Sequence, residues 1–250
     1  MKAPSHLKRM PDRANRTVEE RAGALDWLDI RSQLSEAGAA TTGVLLCQSE
    51  CAELRWLYED AERFRSRVVM ARHGFGRGEY QYLSYPLPPV VQSLRAALYE
   101  RLAPIANEWM LALGVLKRFP KLHSEYAAIC HEAGQTKPTP LILKYEAGDY
   151  NCLHQDIYGE LVFPFQVAFL LSQPREDFTG GEFVLTEQRP RMQSRAEVVT
   201  LRQGEGVIFP VRERPVQGAR GIYKTAMRHG VSRVKSGARF TLGVIFHDAA

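Results

Sequence analysis

The sequence contains few cysteines and no long apolar run. Its four cysteines show neither disulfide-type nor zinc-type spacing; they are Cys47, Cys51, Cys130 and Cys152. No segment approaches the ~18 consecutive apolar residues of a membrane-spanning helix, and the N-terminus lacks the apolar core of a secretion signal. These absences argue against a disulfide-stabilised secreted scaffold and against a membrane protein, and they predict a cytoplasmic location with reduced thiols.

The sequence also lacks internal repeats, low-complexity tracts and flexible linkers. Its 250 residues, of which 45% are hydrophobic and 24% charged, are enough to bury a sizeable core and are ordinary for a globular protein. We therefore predict one structural unit with three parts. These are a basic disordered tail at 1–20, a helical N-terminal region at 21–135 that packs on the core, and a catalytic core at 136–250.

Positive charge is concentrated in the C-terminal part of the chain. The formal net charge of the whole sequence is +5, whereas the segment from Arg189 onward has twelve Lys and Arg residues against four acidic residues, a balance of +8. A one-sided basic field attracts polyanions such as nucleic acids. The alternative is a solvated surface on which the arginines are scattered without a binding role.

Helical periodicity in the N-terminal half gives way to short apolar runs after Pro140. The predicted helices lie near 27–34, after an N-cap at Ser49, over 90–113 with a kink at Pro104, and over 122–133. Eight strands are predicted in the second half, near 141–146, 151–157, 163–171, 182–187, 196–201, 205–210, 223–233 and 239–246. The predicted fold is therefore mainly β with N-terminal helices (α+β), and its core is a double-sheet jelly roll.

A His-x-Asp pair lies on one of these predicted strands. On extended backbone the side chains of residues i and i+2 point the same way, so His154 and Asp156 can bind one metal ion. On a helix the same two side chains would diverge by roughly 200°. A third ligand is available from His229, with His247 as the alternative. Two histidines and one carboxylate, with three open positions, suit the non-haem Fe(II) oxygenases.

Further motifs make the chain similar to the Fe(II)/2-oxoglutarate-dependent dioxygenases. Arg239 follows His229 by ten positions and begins an Arg-x-Thr motif. The segment 177–183 contains a Gly-Gly-Glu turn that resembles the prolyl-hydroxylase-like branch, and the segment 153–156, preceded by a Tyr-x-x-Gly turn, resembles the AlkB-type DNA dealkylases. From about Asp26 to the C-terminus, the chain is similar to a bacterial family described as oxygenases acting on damaged DNA.

This resemblance implies a double-stranded β-helix and an enzyme that uses Fe(II), 2-oxoglutarate and O2. The implied iron ligands are His154, Asp156 and His229. The implied 2-oxoglutarate ligands are Arg239, Thr241 and Tyr145. A guanidinium can grip a carboxylate through two parallel hydrogen bonds, which is a physical reason for an arginine at position 239. The implied reaction is oxidative demethylation of alkylated nucleic-acid bases in DNA repair, with release of succinate, CO2 and formaldehyde.

Two other functions are compatible with the same residues. The Gly-Gly-Glu segment and the position of Arg239 also suit a hydroxylase of a protein side chain or a small molecule. A metal-binding jelly roll of the cupin type without oxygenase activity is the other alternative, although the Arg-x-Thr motif argues against it. The choice among DNA, RNA, protein and metabolite substrates stays open at this point.

A mixed stretch ahead of the core, 72–89, is a candidate substrate lid. It interleaves cations, aromatic residues and glycines without helical periodicity. Such a mixture suits stacking on bases while cations hold phosphates. The candidate contacts to nucleic acid are Arg72, Arg77, Tyr80, Tyr82 and Tyr85. The alternative is an ordinary β-hairpin in which Tyr80 and Tyr82 pack inward.

Overall fold

The computed structural model describes residues 16–156, 159–189, 191–219 and 221–250. Within these residues the chain forms five α-helices, which are α1 (Val18–Gly23), α2 (Trp27–Ala37), α3 (Gln48–Leu57), α4 (Pro89–Ala112) and α5 (His123–Glu132). Most of the tail predicted at 1–20 falls outside the described residues. None of the described helices is long and apolar enough to cross a membrane.

Three of the predicted helices correspond to α2, α4 and α5, and α4 continues through Pro104 to its end at Ala112. The N-cap predicted at Ser49 is wrong, because α3 begins at Gln48, two residues earlier than that cap would allow. The Glu50 carboxylate accepts a hydrogen bond from the backbone N–H of Cys47 at 2.8 Å, which makes Cys47 the capping residue.

Fourteen strands form the β structure of the described residues. They are β1 (Ala40–Val44), β2 (Phe64–Val69), β3 (Gly76–Arg77), β4 (Glu79–Leu83), β5 (Leu141–Glu146), β6 (Tyr150–His154), β7 (Phe165–Leu170), β8 (Phe178–Gly180), β9 (Phe183–Gln188), β10 (Arg195–Val199), β11 (Glu205–Pro210), β12 (Glu213–Gly218), β13 (Gly221–Val231) and β14 (Val234–Ile245). The eight predicted strands correspond to β5, β6, β7, β9, β10, β11, β13 and β14, with shifted ends. The sequence patterns did not reveal β1, β2, β8 or β12, and β3 and β4 lie in the stretch for which a hairpin was the alternative.

The strands form two antiparallel sheets. The large sheet has the order β1-β11-β7-β14-β5-β4-β2, and β8 pairs with β14 at its margin. The small sheet has the order β10-β9-β13-β6-β3, and β12 also pairs with β13. This arrangement confirms the predicted fold class, a mainly β jelly roll preceded by helices.

The two faces of the large sheet are buried in different ways. On β7, odd-numbered residues such as Phe165 and Phe169 belong to the apolar cluster shared with the helices, where the Trp109 ring of α4 lies 4.5 Å from that of Phe165. The even-numbered Ala168 and Leu170 belong to the cluster shared with the small sheet. The period of two along an extended strand explains this division. The helices therefore cover one face, and the other face closes a cavity between the sheets.

The candidate lid is not a local hairpin. β4 pairs with β2 and β5 in the large sheet, whereas β3 pairs with β6 in the small sheet. Gly78, at a φ of 112°, connects the two sheets, and a Cβ there would lie 2.9 Å from the Tyr145 ring. The stretch instead supplies the connection and the second strand of a longer hairpin, β2 with β4, in which Tyr82 is buried as the hairpin alternative expected. The glycine-rich turn also lets the chain reach the small sheet. Phe75 and Tyr80 both border the cavity as a result.

Candidate metal centre and cosubstrate pocket

Strand register brings the two predicted histidine ligands together. β13 pairs with β6 so that His229 stands opposite His154, and the two ring centres are 4.2 Å apart. The Asp156 carboxylate follows two residues later, with Oδ1 at 3.4 Å from His154 Nε2 and Oδ2 at 3.2 Å from His229 Nε2. One donor atom from each of the three residues lies within 4.8 Å of the other two. Their spacing is that of ligands around a single small cation.

Hydrogen bonds orient the imidazoles for metal binding. His154 Nδ1 lies 2.8 Å from the carbonyl oxygen of Cys152. Because a carbonyl can only accept, Nδ1 must carry the proton and Nε2 offers its lone pair to the cluster. His229 Nδ1 is buried and has no hydrogen-bond partner within the described part of the chain, while its Nε2 also faces Asp156. The donor set of two imidazole nitrogens and one carboxylate fits Fe(II).

The charge state of the cluster also suits a cation. Burial acts to raise the pKa of Asp156, but the imidazoles of His229 and His154 outweigh it and lower that pKa well below its usual range. Burial lowers the pKa of His229 despite the nearby carboxylate. At neutral pH the site therefore presents an anionic carboxylate and a neutral imidazole from β13, which are the forms that bind a metal.

Gln166 fixes the metal-binding carboxylate from the opposite sheet. Its side chain is only 4% exposed, and its Nε2 donates a hydrogen bond to Asp156 Oδ2 at 2.9 Å. Asp156 lies beyond the end of β6 in the small sheet, so this bond ties a loop residue to β7 in the large sheet. Sequence reasoning missed Gln166. The available signal was a single polar residue inside an otherwise apolar strand.

Replacing Gln166 with leucine is expected to weaken Fe(II) binding by about 10–100-fold, because loss of an outer partner of a metal ligand has effects of this size. The measurement is an anaerobic Fe(II) titration of the purified protein. Gln217→Leu, at an exposed position on β12, is the matched control and should bind iron normally. Unchanged iron affinity in Gln166→Leu would show that the hydrogen bond does not position the carboxylate.

Arg239 supplies a buried cation to the same cavity. It is 3% exposed on β14, directly opposite Tyr145 on β5, and its Nη1 donates to Thr241 Oγ1 at 2.5 Å. Burial lowers the pKa of Arg239 to about 10, so the guanidinium stays protonated at neutral pH. Its Nε has no hydrogen-bond partner among the described residues. A buried, incompletely paired guanidinium has the chemistry to bind a carboxylate.

A cavity of about 300 Å³ joins these two sites. It is lined by all three metal-ligand candidates together with the three predicted cosubstrate residues, Tyr145, Arg239 and Thr241. Asn151, which sequence reasoning missed, also lines it and donates to the Tyr145 hydroxyl at 3.3 Å. Leu141 and Leu143 make part of the remaining wall apolar. The cavity therefore combines a cluster of metal-binding groups, a buried cation and apolar walls.

The five predicted substrate contacts lie in different environments. Tyr80 lines the cavity, and Arg72 and Arg77 are exposed. Tyr82 is only 7% exposed. Tyr85 is 43% exposed, but its hydroxyl donates to Asp248 at 2.8 Å and accepts from Arg95 at 2.9 Å.

Phe75 lies at the cavity, whereas His247 lies outside the metal cluster. Phe75, which sequence reasoning missed, lines the cavity while remaining 48% exposed; an aromatic residue between two glycines was the signal for it. His247, the alternative third ligand, is fully buried, and its Nδ1 accepts a hydrogen bond from the backbone N–H of Phe163 at 3.2 Å. His229 rather than His247 therefore completes the three-residue cluster.

The chain matches a known family over 172 of its 250 residues. Residues 78–249 match the family model described as "Oxygenase, catalysing oxidative methylation of damaged DNA". Two proteins of Mycobacterium tuberculosis, named "Uncharacterized protein Rv2227" in strain H37Rv and "Uncharacterized protein MT2286" in strain CDC 1551, are each 52% identical to the chain over 165 residues. These matches cover 66% of this chain and 71% of each relative.

Solved structures show the same fold at low sequence identity. A prolyl hydroxylase of Trichoplax adhaerens, solved with a peptide of hypoxia inducible factor, has a TM-score of 0.58 at 12% identity and covers 95% of this chain and 96% of its own. A prolyl-4-hydroxylase of Pseudomonas putida has a TM-score of 0.51 at 13% identity and covers 90% and 99%. A 2OG-Fe(II) oxygenase family protein of Burkholderia pseudomallei has a TM-score of 0.50 at 18% identity and covers 90% and 92%.

Family, fold and site agree with one another. The family model identifies an oxygenase, the solved structures share the fold, and the His-Asp-His cluster beside a buried arginine is the site that such chemistry requires. The predicted enzyme class and the predicted set of Fe(II), 2-oxoglutarate and O2 are thereby confirmed. The chain belongs to the family of oxygenases described as acting on damaged DNA.

Proposed function

We propose that this oxygenase removes N-methyl groups from nucleic-acid bases. The observation that carries the proposal is the single cavity lined by the His-Asp-His cluster and Arg239, in a chain whose family is described as acting on damaged DNA. The site provides the residues for oxidation of a C–H bond, and the family description supports nucleic acid as the substrate class.

Different side chains bind the metal and the cosubstrate. His154, Asp156 and His229 would hold Fe(II), which when bound supplies the activation of O2 that amino-acid side chains cannot. The Arg239 guanidinium and the Thr241 hydroxyl hold the distal carboxylate of 2-oxoglutarate, and Tyr145 lies against them. Apolar side chains around the cavity keep water away from the reacting methyl group.

The reaction balances as oxidative demethylation. One O2 and one 2-oxoglutarate give succinate and CO2, and one oxygen atom enters a C–H bond of the N-methyl group. The resulting N-hydroxymethyl base breaks its C–N bond and releases formaldehyde, and the nitrogen recovers a proton. A base inside a duplex cannot reach a cavity between two sheets, so the substrate must be single-stranded or flipped out of the stack.

Only part of the C-terminal positive charge is available to phosphates. The carboxylate of Glu187 pairs with three arginines of that segment, at 2.7 Å for Arg189, 3.1 Å for Arg195 and 2.7 Å for Arg214. Arg214 is buried in this cluster, whereas Arg189 and Arg195 are partly exposed but share the same carboxylate. The exposed Arg72 and Arg77 lie closer in sequence to the cavity-lining Phe75 and Tyr80, so we propose them as phosphate contacts.

Substitutions near the cavity should separate phosphate binding from base stacking. Arg77→Ala is expected to reduce the slope of log K against log[salt] by about 0.7–0.9, the value for one lost phosphate contact. Tyr80→Ala is expected to weaken binding at every salt concentration, by about 1–3 kcal/mol, the value for one stacked base. The measurement is fluorescence anisotropy with a methylated single-stranded oligonucleotide at several salt concentrations.

Arg118→Ala is the control for this titration, since Arg118 is exposed on the connection between α4 and α5, in the helical layer. It should leave both the affinity and the salt slope unchanged. If the wild-type protein does not bind the oligonucleotide even at low salt, nucleic acid is not the substrate.

A further inference from the structure

A second cavity, of about 430 Å³, lies behind the cosubstrate arginine. It is bordered by the loop that contains Arg175, by the Gly-Gly-Glu turn between β8 and β9, and by Thr200 beyond the end of β10. Phe183 and Arg239 are the two described residues that line both cavities. The partition between the cavities therefore includes these two side chains.

The Gly-Gly-Glu turn keeps this region open around Arg239. Gly181 has a φ of 66°, and a Cβ at this position would lie 2.9 Å from Arg239 Cδ and 3.6 Å from its Nε. The Nε edge of the guanidinium thus lies beside a residue that lines the second cavity, and this Nε has no hydrogen-bond partner in the described part of the chain. By contrast, Nη1 is bonded to Thr241, which lines the first cavity.

Two arginines and one carboxylate border the second cavity, so positive charge is in excess there. Arg175 is exposed at its margin, and Arg239 is buried at its inner end. Glu182 is the acidic residue that borders it, and the Ser232 hydroxyl donates a hydrogen bond to its carboxylate. A cation beside an entrance raises the local concentration of anions and the rate at which they associate.

We propose that the second cavity is an anion-binding entrance through which 2-oxoglutarate reaches Arg239 and succinate leaves. The nucleic acid then occupies the first cavity, on the side of Phe75 and Tyr80. Bound nucleic acid therefore does not block the entry of 2-oxoglutarate or the release of succinate. The inference rests on the proposed function, because it assigns the ligand of Arg239 as the carboxylate of 2-oxoglutarate. It predicts that cosubstrate exchange continues while nucleic acid is bound.

A bulky residue at Thr200 tests the route. Thr200→Trp is expected to lower the association and dissociation rate constants of 2-oxoglutarate by at least tenfold each and to change the dissociation constant by less than twofold. The measurement is stopped-flow binding to the Fe(II)-loaded protein without O2, so it does not depend on turnover. Val198→Trp, at a position 56% exposed on the adjoining strand β10 and outside the cavity lining, is the matched control and should bind at the wild-type rate.

Two further arms distinguish the possible results. Arg175→Glu should slow association at low salt and abolish its salt dependence, and this variant provides the test if Thr200→Trp does not fold. A saturating methylated single-stranded oligonucleotide should leave the wild-type association rate within twofold. Unchanged rates in both variants, or a block by the oligonucleotide, would overturn the entrance while leaving the proposed function intact. Absence of 2-oxoglutarate binding in the wild type would overturn both.

Discussion

Alanine replacement of His154, Asp156 or His229 is expected to abolish both Fe(II) retention and turnover while the fold survives. Each change leaves two of the three protein donors that lie within 4.8 Å of one another. The apolar clusters that hold the sheets and helices together contain none of these residues, so their loss removes polar groups from a cavity wall and leaves the core unchanged. Iron content after anaerobic gel filtration, succinate formation and thermal unfolding are the three measurements.

The matched control is His131→Ala. His131 is half exposed on α5 and pairs with Asp248 at 2.7 Å, so its loss should leave iron content and turnover unchanged. Full activity in His229→Ala would contradict the ligand set. Loss of both iron and activity in a folded His247→Ala variant would move the third ligand to His247.

Arg239→Leu is expected to weaken 2-oxoglutarate binding by at least about tenfold, which corresponds to ~1.4 kcal/mol. A charge-assisted hydrogen bond contributes roughly 1.5–3 kcal/mol, and leucine offers none to the carboxylate. Iron affinity should change much less, because Arg239 is not part of the His-Asp-His cluster. The measurement is isothermal titration of the metal-loaded protein with 2-oxoglutarate in the absence of O2.

Arg228→Leu is the control for this substitution, since Arg228 is an exposed arginine on β13 beside the buried His229. It should bind 2-oxoglutarate with wild-type affinity. If Arg239→Leu keeps its affinity, the guanidinium serves only to pack against Tyr145 and Phe178, whose ring centres lie 5.8 and 5.9 Å away, and the cosubstrate binds elsewhere.

The metal cluster could be predicted from the sequence because it depends on the His-x-Asp spacing and on the pairing of one strand, β13, with β6. His154 ends β6, Asp156 follows it two residues later and still reaches the same cluster, and the pairing of β13 with β6 brings His229 opposite His154. β6 and β13 mix polar and apolar residues and lie between turn residues, which is a pattern typical of strands. Arg239 and Tyr145 were predicted from the family resemblance, and the structure places them opposite each other on β14 and β5.

Features that depend on distant partners could not be predicted. β4 is a strand because it pairs with β2 and β5, and nothing in the segment 79–83 specifies those partners. Tyr85 has the sequence context of a stacking residue, but its hydroxyl is bonded to Asp248, 163 positions away. The second cavity is likewise formed by three loops and turns that are separate in the sequence.

We propose above all that the cavity between the two sheets couples the consumption of 2-oxoglutarate to the oxidation of an N-methyl group on a nucleic-acid base. The most direct test measures succinate and formaldehyde together, with Fe(II), 2-oxoglutarate and O2, against a panel of N-methylated single-stranded and duplex oligonucleotides, peptides and metabolites. We predict equimolar succinate and formaldehyde with methylated oligonucleotides and only background succinate with the other compounds. Succinate formation stimulated by a peptide or a metabolite, with no formaldehyde from any oligonucleotide, would contradict the claim and identify a hydroxylase of that substrate instead.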